Sequence, residues 1–364
     1  MTRVEDLDTP ALVVDLDIME ANLRRVQEYC SAHGLGLRPH TKTHKSIGIA
    51  RRQLALGAAG LTVAKTGEAE VMLGAEPTDL LVAYPVVGDA KVRRLASVAA
   101  VAGNRCRVTV SVDSIECARR LSEAAEAAKV RFGILTEVDA GLGRVGVSPA
   151  EAVDFSRLAA GLPGLDWRGF AFYPGHIKNQ DPDKIAALSR TVGELRGALG
   201  KAGMTPEIVS GGSTPALYQS HLVEGLTEIR PGTYVFNDLN TVAGGGCELE
   251  HCAAYVLATV VSTARPGQMI LDGGSKTFSS DKLSSGGPGH GRLAEAPDAL
   301  FHKMNEEHGF VDITNAGRTF RVGEKVRVIP NHVCVVVNLH EYVYGARNGV
   351  VEEVWRVDAR GKLQ

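Results

Sequence analysis

The sequence predicts an α/β fold, a (β/α)8 TIM-like barrel followed by a C-terminal β domain. Three observations predict it. At 364 residues the chain is too long for a domain with one ordinary hydrophobic core, so two domains or one large barrel with an appendage are expected. Over the first two-thirds, short β-rich runs alternate with stretches of helical periodicity, and beyond about Gly244 the runs become short, β-branched and separated by Gly and Pro turns.

The first predicted elements are a strand over Thr9–Asp15 and a helix over Asp17–Ala32, for which Asp17 is the predicted N-cap. Eight further strands with intervening helices fit a closed barrel better than a six-stranded open sheet. Those strands are predicted over Leu37–His40, Gly60–Ala64, Asp79–Tyr84, Arg107–Val112, Arg131–Val138, Trp167–Tyr173, Glu207–Ser210 and Glu228–Val235. Helical periodicity marks the segments Lys91–Ala102, Ile115–Ala128 and Lys184–Ala202.

The C-terminal third carries strand signals without crossover helices, which predicts a β domain. The predicted strands are Ala254–Val261, Gln268–Leu271, Lys325–Ile329 and Val333–Val337.

Composition limits the class of protein. The 40 Lys and Arg residues nearly balance the 42 Asp and Glu residues, so no basic field for nucleic acid is expected. The N-terminus lacks the apolar core of a signal peptide, and no run approaches the roughly 18 apolar residues of a membrane span. We therefore expect a soluble cytoplasmic protein, in which the six scattered cysteines are reduced.

Five basic or imidazole side chains fall within the eight residues Arg38–Lys45, which read Arg-Pro-His-Thr-Lys-Thr-His-Lys. A structural strand or helix face would interleave apolar residues here. Two lysines held near two histidines lower each other's proton affinity, which makes an amine nucleophilic near neutral pH. The loop therefore predicts a site built on a Schiff-base lysine, and the residues alone leave both Lys42 and Lys45 open.

Reactive or glycine-rich residues follow five predicted barrel strands at their carboxyl ends, where barrels gather their chemistry. The segments are His40–Lys45, Glu137–Arg144, Tyr173–His176, Ser210–Thr214 and Arg230–Tyr234. In Ser210–Thr214, two glycines before hydroxyl residues leave backbone N–H groups free to hold a phosphate at a strand-to-helix junction. A phosphate site opposite an activated lysine is typical of a pyridoxal phosphate enzyme.

The chain resembles the D-serine dehydratase and D-threonine aldolase group, the metal-dependent members of the alanine racemase-like, fold type III pyridoxal phosphate enzymes. The segments that carry the resemblance are Asp8–Asp17, Arg38–Lys45, Glu137–Gly146, Ser210–Thr214, Arg230–Asp238, Asp272–Asp281 and Pro330–Cys334. The resemblance implies a barrel domain over residues 16–243, a β domain formed by residues 1–15 with 244–364, and a homodimer.

The resemblance also implies roles for individual residues. Lys42 would form the Schiff base with the cofactor, and Lys45 would be a supporting charge. Arg144 would contact the cofactor ring or its 3-oxygen, and Tyr173 would lie beside the ring. The residues that would hold the phosphate are Gly212, Ser213, Thr214 and Tyr234.

A metal site is predicted at His332 and Cys334. On a predicted strand, positions i and i+2 point to one face, so an imidazole and a thiolate can meet one divalent ion. A thiolate favours zinc over manganese or magnesium. The cluster Cys247–Cys252 also contains ligand types, but it lacks the pattern of the resembled group, and we interpret it as structural.

The resemblance implies a lyase acting on 3-hydroxy-D-amino acids. Cys334 favours a dehydratase of the D-serine type, which yields a keto acid and ammonia, because aldolases of the resembled group tend to have aspartate there. Val335 departs from the proline that both groups often have, so retro-aldol cleavage to glycine and an aldehyde, by a D-threonine or 3-hydroxy-D-aspartate aldolase, stays the alternative. Candidate bases are His176, His40 and His44.

Two other classes fit less well. A metal-free amino-acid racemase would need a second base on the opposite face of the cofactor. A non-enzymatic pyridoxal phosphate carrier would lack both the β domain and the His-x-Cys pair. The sequence leaves open whether Lys276 and Asp281 line the site or brace it.

Overall fold

A computed structural model describes residues 2–177 and 181–364, and within them the backbone forms two compact units. The barrel unit comprises Arg25–Lys42, Ser46–Gly232 and Gly361–Gln364, and the sheet unit comprises the residues up to Arg24, Thr43–Lys45 and Thr233–Arg360. The domain boundaries expected after residues 15 and 243 stay a prediction.

Strand β1 (Ala11–Asp15) and helix α1 (Leu16–Ala32) begin the fold. The helix ends where predicted and begins one residue earlier, and Asp17 is not its cap. Asp15 Oδ1 accepts the backbone N–H of Ile18 at 3.1 Å instead. The N–H of Ile18 lies in the first turn and has no partner inside the helix, so the Asp15 carboxylate satisfies it.

Eight parallel strands form the sheet of the barrel unit, as predicted. They are β2 (Gly36–Leu37), β3 (Leu61–Val63), β4 (Asp79–Val82), β5 (Arg107–Val112), β6 (Phe132–Glu137), β7 (Leu165–Ala171), β8 (Ile208–Gly211) and β9 (Glu228–Ile229). Strands β3 to β9 pair in sequence order, β9 pairs with β2, and an isolated parallel bridge between His40 and Thr62 closes the ring. The last predicted barrel strand is shorter than expected, since Thr233–Val235 forms a 3₁₀ turn.

In the described part of the barrel unit, the helices after α1 are α2 (Ile47–Ala55), α3 (Thr66–Met72), α4 (Asp89–Ala102), α5 (Ile115–Ala128), α6 (Ala152–Ala160) and α7 (Pro182–Lys201). Local sequence explains where two of them begin. Ser114 accepts the N–H of Cys117 before α5, and Asp181 accepts the N–H of Lys184 before α7. In the part of the chain that the structure describes, no helix is long and apolar enough to cross a membrane.

A network of ion pairs is buried inside the barrel unit. Arg38 binds Glu228 through Nη2 at 2.8 Å and Asp79 through Nη1 at 2.7 Å. Arg168 binds the second oxygen of Asp79 at 2.8 Å. The first cation of the basic loop is therefore structural, because its charge is neutralised within the barrel.

The sheet unit contains a nine-stranded, mostly antiparallel sheet with three short helices. Its remaining strands are β10 (Ala254–Ser262), β11 (Gln268–Leu271), β12 (Gly291–Leu293), β13 (Leu300–Met304), β14 (Gly309–Asp312), β15 (Lys325–Pro330), β16 (Tyr342–Arg347) and β17 (Val350–Arg356). Its helices are α8 (Leu239–Ala243), α9 (Ser275–Phe278) and α10 (Val333–Leu339). The N-terminal strand β1 lies between β10 and β16, as the resemblance implied.

The predicted strand Val333–Val337 is wrong, because these residues lie in α10. The β-branched composition suggested a strand, yet the buried residues Val333, Val336 and Val337 follow the i, i+3, i+4 spacing of a helix face. Asp238 Oδ2 accepts the N–H of Val333 at 3.0 Å and so satisfies the start of the helix. His332 and Cys334 therefore do not share a strand face.

Candidate active site

Lys42, Arg144 and Tyr173 lie together in the barrel unit. Lys42 Nζ is 5.8 Å from the centroid of the Tyr173 ring, and the Arg144 guanidinium carbon is 4.9 Å from the same centroid. Both cations are exposed, and each follows the carboxyl end of a barrel strand. The structure thus brings together three residues that were predicted to hold one cofactor.

The backbone after β7 fixes the position of the Tyr173 ring. A Cβ atom at Gly175 would lie 2.3 Å from Cε1 of Tyr173, so the ring packs directly against the glycine backbone. A larger residue at this position would displace the ring. The glycine of the Tyr-Pro-Gly sequence therefore has a specific packing role.

Asp139 organises the loop that carries Arg144. Its Oδ1 accepts the backbone N–H groups of Gly141 and Gly143, each at 3.0 Å. The N–H of Gly143, with the other loop N–H groups, lowers the pKa of the Asp139 carboxyl and keeps it ionised. Sequence reasoning missed this role, although a carboxylate followed by glycines at i+2 and i+4 is a recognisable Asx-turn signal.

The segment Ser210–Thr214 forms a turn with the features of an anion cradle. Gly212 has φ +77°, and a Cβ atom there would lie 2.8 Å from the Ile229 side chain, so glycine is required. Ser213 Oγ is buried and has no hydrogen-bond partner among the described residues. A buried hydroxyl without a partner costs free energy, and a phosphate oxygen would satisfy it. These features fit the phosphate of the predicted cofactor.

Buried polar groups support the base of this turn. Arg230 donates to Ser210 Oγ at 3.0 Å and to the Phe172 carbonyl at 2.9 Å, and Ser210 Oγ donates to Glu228 at 2.6 Å. Burial lowers the pKa of Arg230. Burial alone would raise the pKa of Glu228, but the Arg38 charge and hydrogen bonds outweigh it and hold that pKa below its ordinary value.

The two lysines of the basic loop differ in their surroundings. Lys42 is exposed, and its backbone N–H donates to Nδ1 of the buried His40 at 3.4 Å. Lys45 is buried, and its Nζ donates to Asn338 Oδ1 at 2.8 Å. His44 is fully buried. The amine of Lys45 is thus committed to a structural contact, whereas that of Lys42 faces solvent.

His176 and Tyr234 are the two remaining residues with a predicted role. His176 is half-buried, and its Nδ1 has no hydrogen-bond partner in residues 2–177 and 181–364. Tyr234 is buried in the 3₁₀ turn Thr233–Val235 of the sheet unit. Their roles as a base and as a phosphate contact stay predictions.

His332 and Cys334 contact each other in the sheet unit although they do not share a strand. His332 is extended and precedes α10, and Cys334 lies in its first turn. The hydrogen bond with Cys334 raises the pKa of His332 to about 9, and Asp281 adds to this effect. Burial opposes ionisation of the Cys334 thiol, but the His332 ring outweighs it and lowers the pKa of that thiol. Such a pair of groups has the chemistry of metal ligands.

Hydroxyl and carboxylate groups surround this pair. The Cys334 Sγ lies 3.2 Å from Thr43 Oγ1 and 3.8 Å from Thr233 Oγ1. His332 Nδ1 lies 2.7 Å from Asp281 Oδ2. Lys276, by contrast, is exposed and pairs with Glu307 at 2.8 Å, so it braces the surface.

Comparisons with known proteins agree with this architecture. Residues 14–239 match the family model of the alanine racemase N-terminal domain, and residues 253–346 match that of a putative serine dehydratase domain. A 3-hydroxy-D-aspartate aldolase of Paracoccus denitrificans is 34% identical over 98% of this chain and 93% of its own length.

Solved structures give the same result. A D-threonine aldolase from Filomicrobium marinum has a TM-score of 0.91 at 32% identity, with 99% of this chain and 98% of that chain covered. D-threo-3-hydroxyaspartate dehydratase from Delftia sp. HT23 has a TM-score of 0.88 at 28% identity, with 98% and 99% covered. Two further solved structures are a histidine-to-alanine variant and a cysteine-to-alanine variant of D-threo-3-hydroxyaspartate dehydratase, the latter in a metal-free form.

A barrel with a Lys–Tyr–Arg group at its strand ends and a phosphate-type turn defines the class of alanine racemase-like, fold type III pyridoxal phosphate enzymes. Within that class, the chain belongs to the D-serine dehydratase and D-threonine aldolase family. The predicted resemblance and the predicted pyridoxal phosphate-dependent lyase class are confirmed.

Proposed function

We propose that this protein is a pyridoxal phosphate- and divalent metal-dependent lyase that acts on 3-hydroxy-D-amino acids. The observation that carries the proposal is the grouping of Lys42, Arg144 and Tyr173 beside strand ends of the barrel. The relatives named above act on D-threonine or on 3-hydroxy-D-aspartate, which supports this substrate class.

The barrel unit supplies the residues that would hold the cofactor. Lys42 Nζ is the proposed covalent attachment point, since Lys45 is already bound to Asn338. Gly212, Ser213 and Thr214 would bind the phosphate through the turn after β8. Arg144 and Tyr173 would lie against the ring. Tyr234 is proposed as a further phosphate contact.

The residues around the proposed cofactor site would transfer protons. When bound, pyridoxal phosphate supplies an electron sink for the bond that breaks at the α-carbon. Lys42 Nζ would take the α-proton in a dehydratase. In an aldolase, a base would instead take the proton of the β-hydroxyl, and His176, His40 or His44 are the candidates. His176 Nδ1 has no hydrogen-bond partner within residues 2–177 and 181–364, which supports its choice.

His332 and Cys334 would hold a divalent ion, which polarises a β-hydroxyl when bound. The solved variants of D-threo-3-hydroxyaspartate dehydratase support this assignment, because their replaced positions are a histidine and a cysteine two residues apart. His332 and Cys334 have the same order and spacing. A thiolate ligand favours zinc, with manganese or magnesium as weaker fits.

Of the two reactions, we favour elimination of water, the dehydratase outcome, because Cys334 supplies the thiolate that is typical of the dehydratases. The aldolase outcome is the second candidate. It is supported by the 34% identity to the Paracoccus aldolase, compared with 32% to the Delftia dehydratase over a smaller share of the chain.

A product assay tests the proposal. The purified enzyme with pyridoxal phosphate and zinc is incubated with D-serine, D-threonine and 3-hydroxy-D-aspartate, and with their L-enantiomers as controls. Keto acid and ammonia from the D-substrates would support the dehydratase, and glycine with an aldehyde would support the aldolase. Turnover that a chelator does not affect, or equal turnover of both enantiomers, would contradict the proposal. Sedimentation would test the expected homodimer.

A further inference from the structure

We infer that Asp281 is a positioning residue that orients His332 as a metal ligand. Asp281 Oδ2 lies 2.7 Å from His332 Nδ1. The inference rests on the proposed metal role of His332 and Cys334, and it concerns a residue whose function the sequence left open.

The contact fixes which ring nitrogen is available. An ionised carboxylate can only accept a hydrogen bond, so the shared hydrogen is on His332 Nδ1. The ring nitrogen left to bind a metal is then Nε2. Metal-binding histidines commonly donate their other N–H to a carboxylate in this way, which sets the tautomer and the ring orientation.

Cys334, the second proposed ligand, lies two residues after His332 in the first turn of α10. Because Nδ1 of the His332 ring is engaged by Asp281, Nε2 is the nitrogen left for an ion that Cys334 also binds. Two threonine hydroxyls, Thr43 at 3.2 Å and Thr233 at 3.8 Å, also lie against the sulfur. Neighbouring polar groups therefore hold the sulfur, as Asp281 holds the His332 ring.

Hydrogen bonds to its backbone hold Asp281 in place, and one of them comes from the residue before His332. Its backbone carbonyl accepts from Asn331 Nδ2 at 3.0 Å, and Asn331 directly precedes His332. The same Nδ2 donates to the Gly289 carbonyl at 3.0 Å, and Asn331 is buried. Ser279 Oγ accepts the N–H of Asp281 at 3.0 Å. An exposed ion pair ordinarily contributes little, but this one is built on a fixed backbone.

The geometry favours this role over direct ligation. Among the residues that the structure describes, no three His, Cys, Asp or Glu side chains converge on a point that could hold a metal. Asp281 thus contacts the His332 ring without joining a three-ligand group. Its effect on the ion would pass through the imidazole.

Zinc affinity tests the inference. The Kd for zinc is measured on the purified full chain by competition with a chromophoric chelator. Asp281→Ala should weaken zinc binding about 10- to 100-fold, the usual effect of losing such a partner. Asp281→Asn keeps an oxygen that accepts from Nδ1 and should recover most of the loss. Glu307→Gln, which removes the exposed partner of Lys276, is the matched surface control and should leave the Kd unchanged.

A second readout separates positioning from a structural role. The melting temperature of each variant is measured in chelator and again with excess zinc. If Asp281 is a positioning residue, Asp281→Ala reduces the zinc-induced increase in melting temperature, while the melting temperature in chelator stays close to that of the wild type. If Asp281→Ala lowers only the value in chelator and keeps wild-type zinc affinity, Asp281 is structural and the inference is wrong. Should the alanine variant fail to fold, the asparagine variant decides: a zinc Kd more than about 100-fold weaker than wild type would indicate a direct ligand.

The wild type and His332→Ala distinguish the two proposals. If the wild type binds no zinc, or if His332→Ala binds it as well as the wild type, the proposed metal site itself fails. If both behave as expected and Asp281→Ala binds zinc normally, only the positioning role fails.

Discussion

Lys42 Nζ lies 5.8 Å from the centroid of the Tyr173 ring, whereas the amine of Lys45, three residues later, is buried and donates to Asn338. Of these two lysines, Lys42 is therefore the one with an exposed side chain. The structure thus separates two lysines that the residues of the loop alone left open.

This difference predicts unlike effects of replacing the two lysines. Lys42→Ala should abolish the absorption band of the lysine-bound cofactor and lower activity by roughly 10³-fold or more, because both the attachment point and a proton-transfer group are lost. Lys45→Met should keep the band and lose mainly stability. Absorption spectra of the two purified variants, reconstituted with pyridoxal phosphate, measure this. A band that survives in Lys42→Ala and disappears in Lys45→Met would reverse the assignment.

The turn after β8 predicts a separation between cofactor binding and folding. Ser213→Ala should weaken pyridoxal phosphate binding about 10- to 100-fold through the loss of a charge-assisted hydrogen bond. The cofactor-free protein should keep its melting temperature, because the Ser213 hydroxyl has no partner among the described residues. Gly212→Ala should lower both the affinity for pyridoxal phosphate and the melting temperature of the cofactor-free protein, since the φ of +77° at Gly212 and the nearby Ile229 disfavour a side chain. Cofactor titration and thermal unfolding of both variants measure this. A lower melting temperature of cofactor-free Ser213→Ala would contradict the prediction.

The sequence was most informative where local signals agree with the fold. Strand β5 and helix α5 have the predicted bounds, because alternating β-branched residues and a Ser114 cap are strong local signals. The strand predicted over Val333–Val337 failed, because tertiary packing buries every third or fourth valine and overrides strand propensity.

Residue roles that depend on distant partners could not be read from the sequence. Arg38 seemed part of a reactive loop, but it pairs with Glu228, 190 residues away. Asp281 and His332 are 51 residues apart, and only the fold brings them into contact. The resemblance predicted a metal site at His332 and Cys334, whereas the contact of His332 with Asp281 arises only from the fold.

The buried pair of Arg38 and Glu228 predicts a large loss of stability on substitution. Glu228→Gln should lower the free energy of unfolding by about 3–5 kcal/mol, since a buried guanidinium loses the charge that compensates it. Asp154→Asn removes an exposed pair with Arg157 and should cost less than about 0.5 kcal/mol. Urea unfolding of both variants provides the comparison. A cost for Glu228→Gln no larger than that of the exposed control would show that the network does not stabilise the barrel.

His340 predicts a pH dependence of stability in the sheet unit. Burial lowers the pKa of its ring to about 4, from an ordinary value of 6.5, and Nε2 lies 3.2 Å from the Thr277 carbonyl oxygen. The unfolded chain binds the proton more tightly than the folded chain does. The contribution of the neutral His340 ring to the free energy of unfolding is therefore fully present above pH 6.5 and is lost as the pH falls towards 4. The size of the loss is about 3 kcal/mol, at roughly 1.4 kcal/mol for each pKa unit. In His340→Gln the amide can still donate to Thr277 but does not titrate, so stability should fall less steeply across this window. Urea unfolding at several pH values, with the exposed His308→Gln as control, measures the slopes. Equal slopes for wild type and His340→Gln would show that the buried ring does not carry the pH dependence.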